Sequence, residues 1–188
     1  MYKKQLRFQK IICLLAIIVA AVWFVYSLGF ITTIYEQIGT AGSIVPGAQI
    51  YKDMQPFNKQ FNTYGLYAIL ISILLLVTNT QVRRKYYVSN YIATAVNVVS
   101  AVAMPIYAYT NLSKFAVQYK TTVDPEMLKM WCEMKGVNPS MSTWLLDLNV
   151  VIGAVSILVA IGLVVNVIWK ISLMRGEKKL IDEGKEVA

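Results

Sequence analysis

The sequence predicts an all-α membrane protein: one domain over residues 1–188, with four transmembrane helices, both termini cytoplasmic, and a short amphipathic helix in the second outer loop. Three observations lead there. Apolar residues make up 57% of the chain and charged residues 15%, where a soluble domain carries about 25% charged. The apolar residues fall in four long runs, each able to cross about 30 Å of hydrocarbon at about 1.5 Å of rise per residue. Lys and Arg gather beside these runs, mostly in the leader, the central turn and the tail, as the positive-inside bias requires.

The turn Gln81-Val82-Arg83-Arg84-Lys85-Tyr86-Tyr87 fixes the direction of the whole chain. Its cations hold it on the cytoplasmic side, between a span at 62–79 and a span at 88–110. The leader before it, with Lys3, Lys4, Arg7 and Lys10 and no acid, belongs on the same side. The apolar run at 11–34 that follows exceeds the 7–15 residues of a signal-peptide core, so it is read as the first transmembrane helix.

An outer loop is expected at 35–61. Gly39, Gly42, Pro46 and Gly47 break regular structure there, with a turn at Pro46-Gly47. The segment 54–62 mixes aromatics with amides, which suits stacking on a sugar or docking a partner. It suits better an interfacial stretch with Phe57 and Phe61 dipping into headgroups. Asn62 or Thr63 then caps the second span, and Ser89 or Asn90 the third.

In the third span Asn90, Thr94, Asn97, Ala101 and Met104 recur at steps of four and three, so they share one face. An amide at Asn97, near mid-span, must find a partner. It either binds helices together or, with Thr94 and Ser100, lines a solute path. Pro105 is expected to kink or end this helix near the outer surface. Tyr107 and Tyr109 match an outer aromatic belt, and Tyr86, Tyr87 and Tyr91 an inner one.

The second outer loop, 111–142, contains one clear element. Asp124-Pro125-Glu126 combines a cap, a proline at the first helical position and a first-turn acid. Met127, Met130, Trp131 and Met134 then repeat at helical spacing, and Gly136 can close the helix. That stripe packs on the bundle, lies in headgroups, or docks a partner. Cys132 is expected to be an unpaired surface thiol. It lies across the membrane from Cys13, so the two cannot form a disulfide.

The last span is expected at 143–173, capped by Ser140 or Ser142, with a cytoplasmic tail at 174–188. Asn149, Gly153, Ser156 and Ala160 give it a small-residue face for close helix approach. Trp169, Lys170 and Arg175 anchor its inner boundary.

Chemistry is hard to place on this chain. The formal charge of +8 points to anionic lipid rather than nucleic acid, because the cations sit beside apolar runs. There is no histidine, and all ten carboxylates fall in loops, tails or interface positions. Ion-coupled carriers place an acid within a span. No phosphate-binding glycine loop, Cys/His metal spacing or nucleophile motif is present, so the expectation is no enzyme activity, no metal and no cofactor.

Ser142, Thr143, Trp144 and Asp147, the exit from Asn166 through Trp169 and Lys170 to Leu173–Leu180, and Thr78-Asn79-Thr80 with Arg83–Tyr87 carry a resemblance across the last three helices. There the chain resembles four-helix membrane proteins of Gram-positive bacteria associated with sugar ABC importers. The resemblance implies an auxiliary subunit beside importer permeases in the plasma membrane and assigns no site residue. The expected role is thus a non-catalytic auxiliary or scaffold subunit. The alternatives are a small homo-oligomeric transporter or channel, and a sensor that passes an outer signal to the tail.

Overall fold

In a computed structural model of the chain, residues 2–29, 44–80, 87–136 and 144–182 are described. They form five helices and no strand: α1 Tyr2–Leu28, α2 Ile50–Thr80, α3 Tyr87–Thr122, α4 Pro125–Met134 and α5 Trp144–Asp182. All but α4 are long and apolar enough to cross a membrane. Most of the basic turn (81–86), the proposed caps Ser140 and Ser142, and the end of the tail (183–188) lie outside the described residues.

The four long helices pack as a square in chain order, α1 on α2, α2 on α3, α3 on α5 and α5 back on α1, with α2 diagonal to α5. Neighbours run antiparallel. Gln5 at the start of α1 bonds Asn166 late in α5, and Tyr26 at the end of α1 donates to the carbonyl of Leu145 at the start of α5 (2.6 Å). The start of α1 and the end of α5 therefore share one end of the bundle, called here the N-terminal end.

The outward surface is unlike that of a soluble domain, although the core is largely apolar. Large apolar side chains such as Ile11, Leu74, Val99 and Leu158 point outward, while Gln5, Gln9, Asn79, Asn90, Asn97, Asn149 and Asn166 are buried. A surface of this kind suits lipid, and the buried amides hold the helices together where lipid supplies no hydrogen bonds.

Several element boundaries differ from the expectation. The leader is not a separate segment: α1 begins at Tyr2, and its last turn closes at Gly29, whose N–H donates to Val25 and Tyr26 carbonyls (3.3 and 3.1 Å). α2 starts twelve residues before the expected span, so Asn62 and Thr63 lie inside it and cap nothing. Asn62 Nδ2 donates to Ser27 Oγ of α1 (3.0 Å), and Thr63 Oγ1 to the Lys59 carbonyl (3.0 Å). Ser89 and Asn90 likewise lie inside α3. Pro105 does not end α3, which runs on to Thr122. The last helix continues past residue 173 to Asp182.

The reason for the two extensions is packing between them. Phe57 and Phe61 are not in headgroups; both are buried, Phe61 completely. Their rings stack on each other (5.2 Å), and Phe57 stacks on Tyr107 (5.5 Å) and meets Phe115 (5.8 Å) of α3. Trp23 and Tyr26 of α1 meet Phe61 edge-on (5.7 and 6.0 Å). Aromatic pairs of this geometry contribute about 0.5–1.5 kcal/mol each beyond burial. Hydropathy marks only the lipid-facing part of a helix, whereas this cluster keeps the backbone helical beyond it.

The expected turn at Pro46-Gly47 is present. Ala48 N–H donates to the Val45 carbonyl (3.2 Å), closing the turn over Pro46 and Gly47, and Gly47 has φ +78°. The turn packs against the corner between α3 and α4, where Asp124 N–H points to the Pro46 carbonyl (3.4 Å).

Candidate functional site in the polar interior of the bundle

Polar side chains are buried at three regions along the bundle, called layers here, and in the first two they recur at helical intervals. At the N-terminal end Gln5, Gln9 and Cys13 repeat every four residues on the inner face of α1. Gln5 Nε2 donates to Gln9 Oε1 (3.0 Å) and Asn166 Oδ1 of α5 (2.9 Å). Gln9 Nε2 donates to the Asn79 carbonyl of α2 (3.1 Å), and Asn79 Nδ2 to Cys13 Sγ (3.0 Å). Asn90 Nδ2 of α3 donates to Asn79 Oδ1, and Lys170 Nζ of α5 donates to Asn90 Oδ1 (3.0 Å). The Lys170 ammonium also lies 5.9 Å from the Tyr91 ring centre. All four long helices are thereby joined through side chains.

The second layer is at mid-bundle. Ser72 Oγ of α2 donates to Asn97 Oδ1 (2.9 Å), and Asn97 Nδ2 donates to the Ile71 carbonyl (3.0 Å). Asn97 thus bridges α2 and α3 through both ends of its amide. Thr94 is buried, and its hydroxyl returns to the Asn90 carbonyl of its own helix (2.8 Å). On the opposite side Ser156 Oγ of α5 donates to the Ala101 carbonyl (2.8 Å). Gly153 lies so close to Pro105 that a Cβ at 153 would stand 3.1 Å from the Pro105 Cβ. Ala160 is buried on the same face.

A small chamber of about 20 Å³ lies within this layer, lined by Ala16, Trp23, Ser72, Asn97, Ser100 and Ser156 among others. It is just large enough for one water, which needs about 10–15 Å³. Trp23 is buried, and its indole N–H has no hydrogen-bond acceptor among the described residues.

The third layer is at the opposite end. Asn149 of α5 is buried; its Nδ2 donates to the Leu146 carbonyl, and its Oδ1 has no donor among the described residues. The Asn58 Oδ1 of α2 and the Tyr119 hydroxyl of α3 are likewise buried without partners there.

The interior thus collects Asn97, Ser100 and Ser156 around one chamber. Thr94, Gly153 and Ala160 lie on the faces beside it, whereas Asn149 lies nearer the opposite end and bonds within its own helix. The amides Gln5, Gln9, Asn79 and Asn166 are a part of the interior that sequence reasoning passed over. The four-residue repeat of Gln5, Gln9 and Cys13 was the available signal.

α4 stands apart from these layers. Asp124 Oδ1 accepts from the Glu126 and Met127 N–H groups (3.0 and 3.2 Å), and Pro125 occupies the first turn, as its sequence requires. Gly136 follows at φ +66°. The buried face carries Leu128, Trp131 and Cys132, not the methionines. Cys132 is fully buried, which corrects the expected surface thiol. Burial pushes its thiol above the ordinary range for cysteine. Met127, Met130 and Met134 face outward, with Met134 73% exposed. The sequence places all of these on adjoining sides of one short helix, so the split depends on which side meets the rest of the chain.

No family model, curated protein or solved structure matches the chain.

Proposed function

We propose that the chain is a plasma-membrane protein of four spans with both termini cytoplasmic, and that it acts as a non-catalytic auxiliary or scaffold subunit of a larger membrane complex. A solute importer of the sugar ABC type is the partner implied by the sequence resemblance. One observation carries the scaffold reading: polar side chains of all four long helices are engaged with one another, while the outward surfaces are apolar and include the exposed methionines of α4. Such an arrangement builds a rigid body with faces for contact. The orientation is supported by Lys3, Lys4, Arg7 and Lys10 of α1 and Arg175, Lys178 and Lys179 of α5, which belong to the same end of the bundle.

The competing reading is a channel or transporter in which Asn97 and Ser100 line the path. Within one copy the chamber that Asn97 and Ser100 share is about 20 Å³, far too small for a solute route through the bundle, and this favours the scaffold. Mild-detergent purification followed by mass spectrometry separates the two readings. Stoichiometric co-purification with ATPase and permease subunits is the expected result. A homo-oligomer that conducts solute in liposomes overturns it.

A further inference from the structure

A groove of about 330 Å³ opens between α2 and α3, lined by Tyr64, Tyr67, Ala68, Ser100, Met104 and Tyr107 together with Ala103. Its size is at the lower bound for small-molecule sites, about 300 Å³. Ala68, Ser100 and Met104 line both this groove and the chamber beside Trp23, so the two spaces adjoin through those residues. The groove mouth is on the outward side of the bundle, where Tyr64 and Tyr67 are exposed.

The chemistry of the lining limits what can enter. Neither space is lined by an Asp, Glu, Lys or Arg, so a charged group would lie unpaired at the middle of the spans, which is strongly unfavourable. The buried polar group left without a partner among the described residues is the Trp23 indole N–H, and the Ser100 hydroxyl lines both spaces beside it. An indole N–H only donates, so it calls for an acceptor. A buried donor left unpaired costs about 1–3 kcal/mol, which an entering acceptor would recover. The chamber has room for one oxygen-sized group, and the tyrosine-lined groove has room for an apolar body.

We propose that chamber and groove form one site for a neutral, lipid-soluble carbonyl compound that enters sideways from the bilayer. The carbonyl oxygen accepts from Trp23 Nε1 and lies beside Ser100, while the apolar body rests against Tyr64, Tyr67 and Tyr107. This is independent of the scaffold reading: a subunit of a complex and a solitary protein can both bind such a molecule.

The test uses the full chain in nanodiscs and 2,3-dimethyl-1,4-naphthoquinone as the probe. In a form with Trp131, Trp144 and Trp169 changed to Phe, emission comes from Trp23 alone. The expected result is saturable quenching. Ala103→Phe, an exposed position in the groove, should weaken it by about tenfold or more with unchanged helicity and unfolding temperature. In the otherwise native chain, Trp23→Phe removes the N–H but keeps a ring. It should weaken the probe-induced rise in unfolding temperature to that of an approximately tenfold poorer ligand, the equivalent of about 1.4 kcal/mol. Quenching that grows linearly with probe and is the same in Ala103→Phe is partition into lipid and overturns the proposal. So does a Trp23→Phe protein stabilised by the probe as much as the native chain, which would leave a single water as the occupant of the chamber.

Discussion

Gly47 lies directly against the backbone of Thr122: a Cβ at position 47 would come within 2.2 Å of the Thr122 carbonyl oxygen. This contact fastens the turn before α2 to the end of α3. Because Gly47 also has φ +78°, Gly47→Ala meets both a strained backbone, costing about 1–2 kcal/mol, and a backbone clash that no rotamer relieves. A loss of at least about 2 kcal/mol is expected in reversible detergent unfolding. Gly136→Ala is the control, since Gly136 has positive φ but open space around it, and it should cost only the conformational part.

Asn97 bridges α2 and α3, so Asn97→Leu should lower stability by about 1–2 kcal/mol. Ser72 then loses its acceptor, and Ser72→Ala in the Asn97→Leu background should cost less than in the native chain. A double-mutant cycle on thermal unfolding measures the coupling. Additive effects would mean that the two side chains do not act together.

The two faces of α4 should respond oppositely. Leu128→Ala empties a fully buried position and should cost about 2–5 kcal/mol. Changing Met127, Met130 and Met134 together to Ser should leave unfolding within about 0.5 kcal/mol, since all three are exposed. If α4 docks a partner through its methionines, the triple variant should lose co-purification while remaining folded.

Cys132 should be slow toward maleimide in the folded protein and fast once unfolded, because its thiol is buried and reacts as the thiolate. Its raised thiol pKa adds a pH dependence. Folding favours the protonated thiol, so that contribution is complete below the ordinary cysteine range and is lost as pH rises through it toward the folded-state value. Unfolding followed by circular dichroism between neutral and alkaline pH should show the loss, and Cys132→Ala should remove that component.

Hydropathy and periodicity together disclosed the four long helices, the buried face Asn90–Thr94–Asn97–Met104, and the capped α4 with its Asp-Pro start. What they left out has a common physical origin. The extensions of α2 and α3 carry amides, lysines and a proline, so no apolar run marks them. Their helicity comes from Phe57 and Phe61 meeting Tyr107 and Phe115, residues distant in sequence. α4 is apolar on most sides, and only tertiary contact determines that Leu128 and Cys132 face in while Met134 faces out. The chamber beside Trp23 depends on side chains from every long helix, and no local pattern encodes it.

The aromatic pile at Phe57 and Phe115 has a consequence for how the molecule comes apart. α3, with 36 residues, is about 54 Å long, well beyond a hydrocarbon layer of about 30 Å. In the four-span reading proposed above, its final turns and the opening turns of α2 project into water and are gathered there by desolvation, a force that is absent between helices surrounded by acyl chains. Urea added to vesicles should accordingly loosen this protruding tip first and leave the amide-linked portion standing.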